Sequence, residues 1–364
     1  MFDRPPLTDE RIAAALEEHY DLPIAALEFL ALGHDAHAWT FRAVTGSGEA
    51  VFVKIRRRVD AARLRLARFL RDQGLDAIVA PLKASDGALS VAIDELHLIA
   101  YPFVDGGIAA ELGLDDRQWF EYGRIVGAVH ATPLPVDLQA SLPAEQFRPA
   151  WISTLSRMHD AVGAYRGDDP VRLELVAFWQ SHGDVIDRLT GRAETLGRSL
   201  GQRFAQPRSV MPFVPCHADI HTHNLLVDPA GALRVIDWDE SLMAPRDRDL
   251  MFVIGSPIGL APGERELALF TAGYGKLDVD PELLAYYHTD WATQDILGYA
   301  EQVLLDDIGP ESRAYALRIF VGLFDPGDEV EVALRFDRAL QSSSSVRRRP
   351  AVIRVMGAGD IPER

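Results

Sequence analysis

The chain has 364 residues, long for one hydrophobic core and short for three, so two lobes are expected. Its 48% hydrophobic and 25% charged residues are the composition of a folded globular protein and exclude disorder over most of its length. Thirty-seven basic against 54 acidic residues give a formal net charge of −17; residues 341–364 carry five arginines and two acids, so −20 rests on residues 1–340. Such a surface repels a phosphate backbone, which argues against nucleic acid and favours a cationic small molecule. One cysteine, Cys216, excludes an internal disulfide framework and suits a reducing compartment. The first twenty residues lack the basic and apolar stretches of a signal peptide, and no apolar run approaches ~18 residues. A cytoplasmic protein with no membrane contact, monomeric or a simple homodimer, is the expectation.

In chain order, 8–20 predicts an amphipathic helix with Thr8 as N-cap. Strand-like runs follow at 27–32, 38–44 and 50–55, the last two separated by the turn Gly46-Ser47-Gly48. Residues 60–73 read as a helix, then 77–83, 88–93 and 96–104 as strands, ending at Asp105-Gly106-Gly107. Helical patterns dominate from about 115, at 116–131, 150–164, 170–200, 264–274, 281–305 and 311–323, interrupted by a strand–loop–strand island at 213–240. The serine- and arginine-rich stretch 341–364 reads as a mobile tail. The pattern predicts an α+β protein: a β-rich N-terminal lobe (1–104), a hinge at about 101–107 and a mainly helical C-terminal lobe (105–340). Ligands favour the cleft between two such lobes.

The island reads F-V-P-C-H-A-D-I-H-T-H-N-L-L-V-D-P-A-G-A-L-R-V-I-D-W-D-E. His217-x-Asp219-x4-Asn224 has the spacing of a kinase catalytic loop, and Asp237 follows a short hairpin in the place of the kinase metal-binding aspartate. Phosphoryl transfer needs a carboxylate to accept the hydroxyl proton and oxygen ligands to hold Mg²⁺ against the phosphates. Asp219 fits the first need, Asn224 and Asp237 the second. A ribbon formed by 225–227 and 233–236 would fix the distance between Asn224 and Asp237.

Lys54 lies in the apolar run Val51-Phe52-Val53-Lys54-Ile55, in a chain with 34 arginines and only three lysines. A lysine there resembles the one that contacts the α- and β-phosphates in kinases. No glutamate occurs between residues 51 and 94 to pair with it, and Asp60 stands where a helix N-cap belongs. The preceding loop has a single glycine, Gly33, which serves equally as a phosphate-covering turn or as a plain one.

These motifs resemble the aminoglycoside phosphotransferase and choline kinase-like family of small-molecule kinases, in which H-x-D-x4-N is followed by a short hairpin and I-D-W/F. The longer string V-I-D-W-D-E-S-L-M-A-P-R-D-R-D-L-M-F-V, with A-Y-P-F-V at 100–104, Y-G-K-L-D-V-D at 274–280, A-Y-Y-H at 285–288 and L-F-D-P-G at 323–327, resembles its spectinomycin phosphotransferase branch. The resemblance covers residues 8–335. It implies a protein kinase-like two-lobe fold, ATP (with GTP as the alternative) and Mg²⁺ as cofactors, and transfer of the γ-phosphate to a hydroxyl of an antibiotic, first of all spectinomycin. By it Asp219 corresponds to the catalytic base, His217 to the structural histidine of the loop, Asn224 and Asp237 to the metal ligands and Asp249 to the brace of the loop. Tyr101, Phe103 and Val104 correspond to the hinge that meets adenine.

His221 reads either as a substrate or phosphate contact or as a packing histidine. On 281–305, Trp291, Asp295, Tyr299 and Glu301 read either as a wall of the acceptor pocket or as a solvated acidic face. Other acceptors (a hygromycin A-like sugar, a macrolide, a metabolite) are the nearest alternatives. A metal-dependent phosphohydrolase built on H-x-D-x-H-x-H is a distant one. A protein kinase is disfavoured because the twelve residues from Asp237 to Asp249 leave no room for an activation segment. A catalytically dead module would be expected to have lost one of these groups.

Overall fold

The computed structural model describes residues 3–31, 38–206, 211–346 and the pair 353–354. The chain forms two compact units, each assembled from separate segments.

The first unit comprises Met1–Leu114, Thr132–Leu142 and Thr222–Ser241. Helix α1 (Asp9–Tyr20) starts at Thr8, whose hydroxyl accepts the Arg11 N–H at 3.2 Å. Then come β1 (Ile24–Leu30), β2 (Ala38–Thr45), β3 (Ala50–Arg56), α2 (Ala61–Asp72), β4 (Val91–Ile93) and β5 (Leu96–Pro102). The strands make one antiparallel sheet in the order β1-β2-β3-β5-β4. Successive side chains of β3 alternate between faces. Val51, Val53 and Ile55 are buried in a core shared with Ile12, Ala15 and Leu16 of α1, each such burial contributing about 1.5–3 kcal/mol. Phe52, Lys54 and Arg56 therefore share the opposite face.

The strand expected at 77–83 does not form. Ile78 makes an isolated bridge to Val235, with Val79 N–H donating to Val235 O (2.9 Å) and Val235 N–H to Ala77 O (2.7 Å). Pro81 has no N–H with which to extend the ladder. The expected ribbon is present: Leu225–Val227 pairs antiparallel with Leu233–Val235, and Gly107–Ile108 adds a third strand. A Cβ on Gly106 would fall 2.4 Å from the Val227 carbonyl oxygen, so only glycine lets the two backbones approach. Residues 105–114, 132–142 and 222–241 thus pack with the first hundred, and the boundary expected at 104 does not follow the packing.

The second unit comprises Asp115–Ala131, Pro143–His221 and Leu242–Arg364. Its two longest helices, Pro170–Phe204 and Pro281–Leu304, both begin with Asp-Pro. Asp169 and Asp280 accept N–H groups of the first turn, while proline occupies the first helical position, where no donor is needed. Their buried faces meet those of Ile152–Ala164, Pro310–Gly322 and Glu329–Val346 in one core. The helix Glu329–Val346 was not expected and runs past residue 341, where a tail was; Ile353–Arg354 pairs with Asp278–Val279. Helices Asp116–Ala131 and Glu264–Tyr274 cross at two glycines: a Cβ on Gly123 would lie 2.0 Å from Phe270 O, and one on Gly273 1.9 Å from Phe120 O. Among the described residues no helix is long and apolar enough to cross a membrane.

Candidate active site

The ribbon of the first unit carries Asn224 at its start and Asp237 just past its end. The Asp228 carboxylate accepts the N–H groups of Ala230 and Ala232 (3.0 and 2.9 Å) and so closes the turn, while Ile236 N–H donates to Asn224 O at 3.0 Å. Asn224 and Asp237 are thereby tied through one backbone hydrogen bond. Asp237 sits in the left-handed region, φ 60°, a conformation that costs an ordinary residue about 1 kcal/mol or more.

Lys54 reaches this segment from β3. Its Nζ lies 2.9 Å from Asp237 Oδ1 and 2.6 Å from Asp239 Oδ2, and Arg56, two residues along the same face, places Nη1 2.5 Å from the same Asp239 oxygen. Burial works against the ammonium, but the two carboxylates outweigh it and hold its pKa above the ordinary range. The missing partner of Lys54 is thus a pair of aspartates 183 and 185 residues downstream. Sequence reasoning did not single out Asp239, which lies two residues past Asp237 in the string Asp237-Trp238-Asp239. Asp60 caps α2, accepting from Ala62 N–H at 2.9 Å. Tyr101 is the penultimate residue of β5 and is pushed above the ordinary tyrosine range by burial and then by Asp239. Phe103 lies under the Arg42 guanidinium at 5.1 Å, and it and Val104 are partly buried beyond the last sheet pairing, Val51 with Pro102. Gly33 lies outside the described residues.

The second unit holds the other half of the motif. Asp249 is buried and receives two adjacent backbone donors, His217 N–H on Oδ2 (3.0 Å) and Ala218 N–H on Oδ1 (2.6 Å). His130 Nε2 lies 3.0 Å from Oδ2, and His130 Nδ1 2.9 Å from the Tyr274 hydroxyl. Burial alone would raise the Asp249 pKa, but the hydrogen bond and charge of His130, the His217 charge and the Ala218 N–H together hold it below the ordinary range. Ala218 is bent to φ 68°, and His217 Nδ1 accepts the Asp219 N–H at 3.2 Å. The Tyr122 hydroxyl donates to Ile220 O. These bonds aim the Asp219 carboxylate.

Around Asp219 the structure gathers most of the remaining candidates. His221 Nε2 lies 3.0 Å from Asp219 Oδ1. The His221 ring packs 5.7 Å from Phe252, and Phe252 lies edge-on to Trp291 at 5.0 Å. Asp295 has its pKa raised to about 7, first by burial and then by the Asp219 charge, and Tyr299 is raised by burial and by Asp295. On the same helix Tyr286, Tyr287 and Trp291 are buried, Asp295, Tyr299 and Glu301 are partly buried, and Asp290 accepts a hydrogen bond from Trp151 Nε1 at 2.8 Å. Glu301 stands apart. Six residues past Asp295 it points about 120° away around the helix, and it pairs with Arg157 at 2.6 Å. A residue not singled out from the sequence, Glu329, joins the cluster instead. Among the described residues the one His, Cys, Asp and Glu group whose ligand atoms converge is His130, Cys216 and Asp249. That group contains none of the His217, Asp219, His221 and His223 set on which the phosphohydrolase alternative is built.

Comparison with known proteins places this geometry. The model of the phosphotransferase enzyme family matches residues 28–287. A search of curated protein sequences returned no match. Among solved structures, a spectinomycin phosphotransferase, APH(9)-Ia, in complex with ADP and spectinomycin, is 28% identical, with a TM-score of 0.79 over 92% of this chain and 100% of its own. A microcompartment-associated aminopropanol kinase (20% identity, TM-score 0.56, 93% and 99% of the two chains) and an amicoumacin kinase, hAmiN, in complex with AMP-PNP and Ca²⁺ (15%, 0.55, 90% and 97%) share the fold. With an antiparallel sheet in one unit, helices in the other and kinases as its structural neighbours, the chain has the α+β fold of a small-molecule kinase and belongs to the phosphotransferase enzyme family.

Proposed function

We propose that the chain transfers the γ-phosphoryl group of ATP to a hydroxyl of a small cationic acceptor, and that the acceptor is spectinomycin. The observation that carries this reading is the likeness, over 92% of the chain, to an enzyme solved with ADP and spectinomycin. A net charge of −17 and the carboxyl-rich surroundings of Asp219 suit a cation.

In this reading Asp219 accepts the proton of the acceptor hydroxyl as its oxygen attacks phosphorus, and Asp249 is a positioning residue that holds the loop. Lys54 exchanges its carboxylate partners for phosphate oxygens, and the chain around Tyr101, Phe103 and Val104 meets the base. Asn224 and Asp237 would hold Mg²⁺. They offer an amide and a carboxylate oxygen, the hard donors that ion takes, and the Asp237 side chain is 40% exposed and open to it. Bound there, the metal supplies positive charge against the phosphate oxygens.

Spectinomycin should release ADP in a coupled assay, yield a product one phosphate heavier by mass, and show a KM that rises with ionic strength. ADP release no faster than the background ATP hydrolysis at saturating spectinomycin would dismiss this acceptor; turnover of a macrolide or hygromycin A-like sugar in the same screen would replace it.

Asp237→Ala removes the anionic metal ligand, so MgATP affinity should fall at least about tenfold in direct titration while KM for the acceptor moves less than about twofold. Unchanged MgATP affinity would count against the assignment.

A further inference from the structure

Two cations of the first unit meet on a single carboxylate oxygen: Lys54 Nζ lies 2.6 Å and Arg56 Nη1 2.5 Å from Oδ2 of Asp239. The sheet fixes both donors, because the β3 backbone pairs Lys54 with Thr40 and Ile99, and Arg56 with Ala38 and His97. The acceptor is fixed as well. Arg63 Nη1 donates to the Asp239 carbonyl, Ser241 N–H donates to Trp238 O at 3.2 Å, and the Trp238 side chain is buried. With its backbone so pinned, Asp239 cannot follow Lys54 when the lysine turns to another partner. The two aspartates then fare differently. The Asp237 side chain is 40% exposed, but that of Asp239 only 14%, so little water reaches Asp239 to replace a lost cation. Leaving a largely buried carboxylate without its counter-ion is costly.

Arg56 meets that cost. It already holds the oxygen that Lys54 would leave, and the two like charges repel each other across it. Arg56 and Asp239 also border a cavity of about 330 Å³ whose other charged walls are Arg58, Asp60 and Arg63. Three arginines against two carboxylates make this a cationic space. The Asp239 carboxylate can turn into it about its own side-chain bonds, with no movement of the pinned backbone.

We propose that Arg56 is a positioning residue for nucleotide binding: it takes over Asp239 when Lys54 is drawn to the phosphates, so that the lysine departs without orphaning a carboxylate. This handover rests on the reading of Lys54 as the phosphate contact, and it deepens that reading. Asp237 passes to the metal, Asp239 passes to Arg56, and Lys54 is free to turn. Arg56 acts through Asp239 and touches no phosphate itself. Without Arg56 the lysine would be held by the same carboxylate with no cation to replace it, and ATP would bind against that hold.

Equilibrium titration with MgATP across a double-mutant cycle separates this role from a plain loss of positive charge. Arg56→Met should weaken MgATP binding about tenfold in the wild-type background, but less than about threefold in the Asp239→Asn background, where no carboxylate remains to be orphaned. Equal losses in the two backgrounds, or a larger loss with Asp239→Asn, would show Arg56 acting on the phosphates directly and overturn the proposal. A wild type that binds no MgATP would overturn the reading of Lys54, and the handover with it. The shared oxygen has a readout of its own that needs no nucleotide. Either cation alone serves Asp239, so the urea midpoint of Lys54→Met/Arg56→Met should fall by more than the sum of the two single falls. Strictly additive falls would refute the sharing on which the handover depends.

Discussion

Asp219→Asn should lower kcat by at least about 10³-fold while leaving the nucleotide dissociation constant within about threefold of wild type. The amide is isosteric, accepts the same loop geometry and cannot take a proton. General-base contributions of this kind span about 10² to 10⁴, and the upper part of that range applies because the neighbouring groups around Asp219 offer no equally placed substitute. His221, 3.0 Å away, lies against the carboxylate rather than in its place. Single-turnover kinetics isolates the chemical step, and equilibrium titration with ATP measures binding separately. A variant that retained wild-type turnover would remove Asp219 from the mechanism; one that lost nucleotide binding as well would move it into the phosphate site.

Asp249→Ala should destabilise the protein by about 3–5 kcal/mol, the cost of deleting a buried charge that satisfies several partners. The backbone N–H groups of His217 and Ala218 lose their acceptor, and nothing then holds Ala218 at positive φ. The urea midpoint should fall with an unchanged m-value, and kcat should drop in the surviving folded fraction without a change in nucleotide affinity. The pH dependence gives a second readout. A carboxylate held below its ordinary pKa contributes stability that is present above the unfolded value and lost as pH falls through the folded one. Wild type should therefore lose this contribution only under acid conditions, and Asp249→Asn should show no such acid limb.

Much of the site could be placed from the chain alone, because its spacing is set by local geometry. A tight loop and a short hairpin turn (228–232) separate His217, Asp219, Asn224 and Asp237, and few backbone paths connect residues at those intervals. Lys54 was conspicuous for a different reason, as a lysine in an apolar strand of an arginine-rich chain. Its partners were not legible, because no local rule links β3 to residues 237 and 239. Glu329 was missed since a buried glutamate and a surface one look alike until the fold brings Asp295 to it. The helix Glu329–Val346 was hidden by its own C-terminal half, where four serines weaken the helical signal and tertiary packing of the first half overrides it. Glu301 pairs with Arg157, and its angle from Asp295 is fixed by the helical repeat and so could be read from the sequence.

The crossing at Gly123 and Gly273 bears on how finely the chemistry can be tuned. The helix Asp116–Ala131 supplies both Tyr122, which grips the Ile220 carbonyl, and His130, which grips Asp249. Gly123 is the residue next to Tyr122, and it rests against a peptide carbonyl rather than a side chain. A side-chain contact can be re-cut one methylene at a time; a contact between two main chains has no such adjustment. Any larger residue at either glycine would have to move a whole helix, and with it both handles on the loop. The aim of Asp219 is thus inherited in part from positions that have no side chain to vary. New acceptors are more readily accommodated by changes on Pro281–Leu304 and Glu329–Val346 than by any re-aiming of the base.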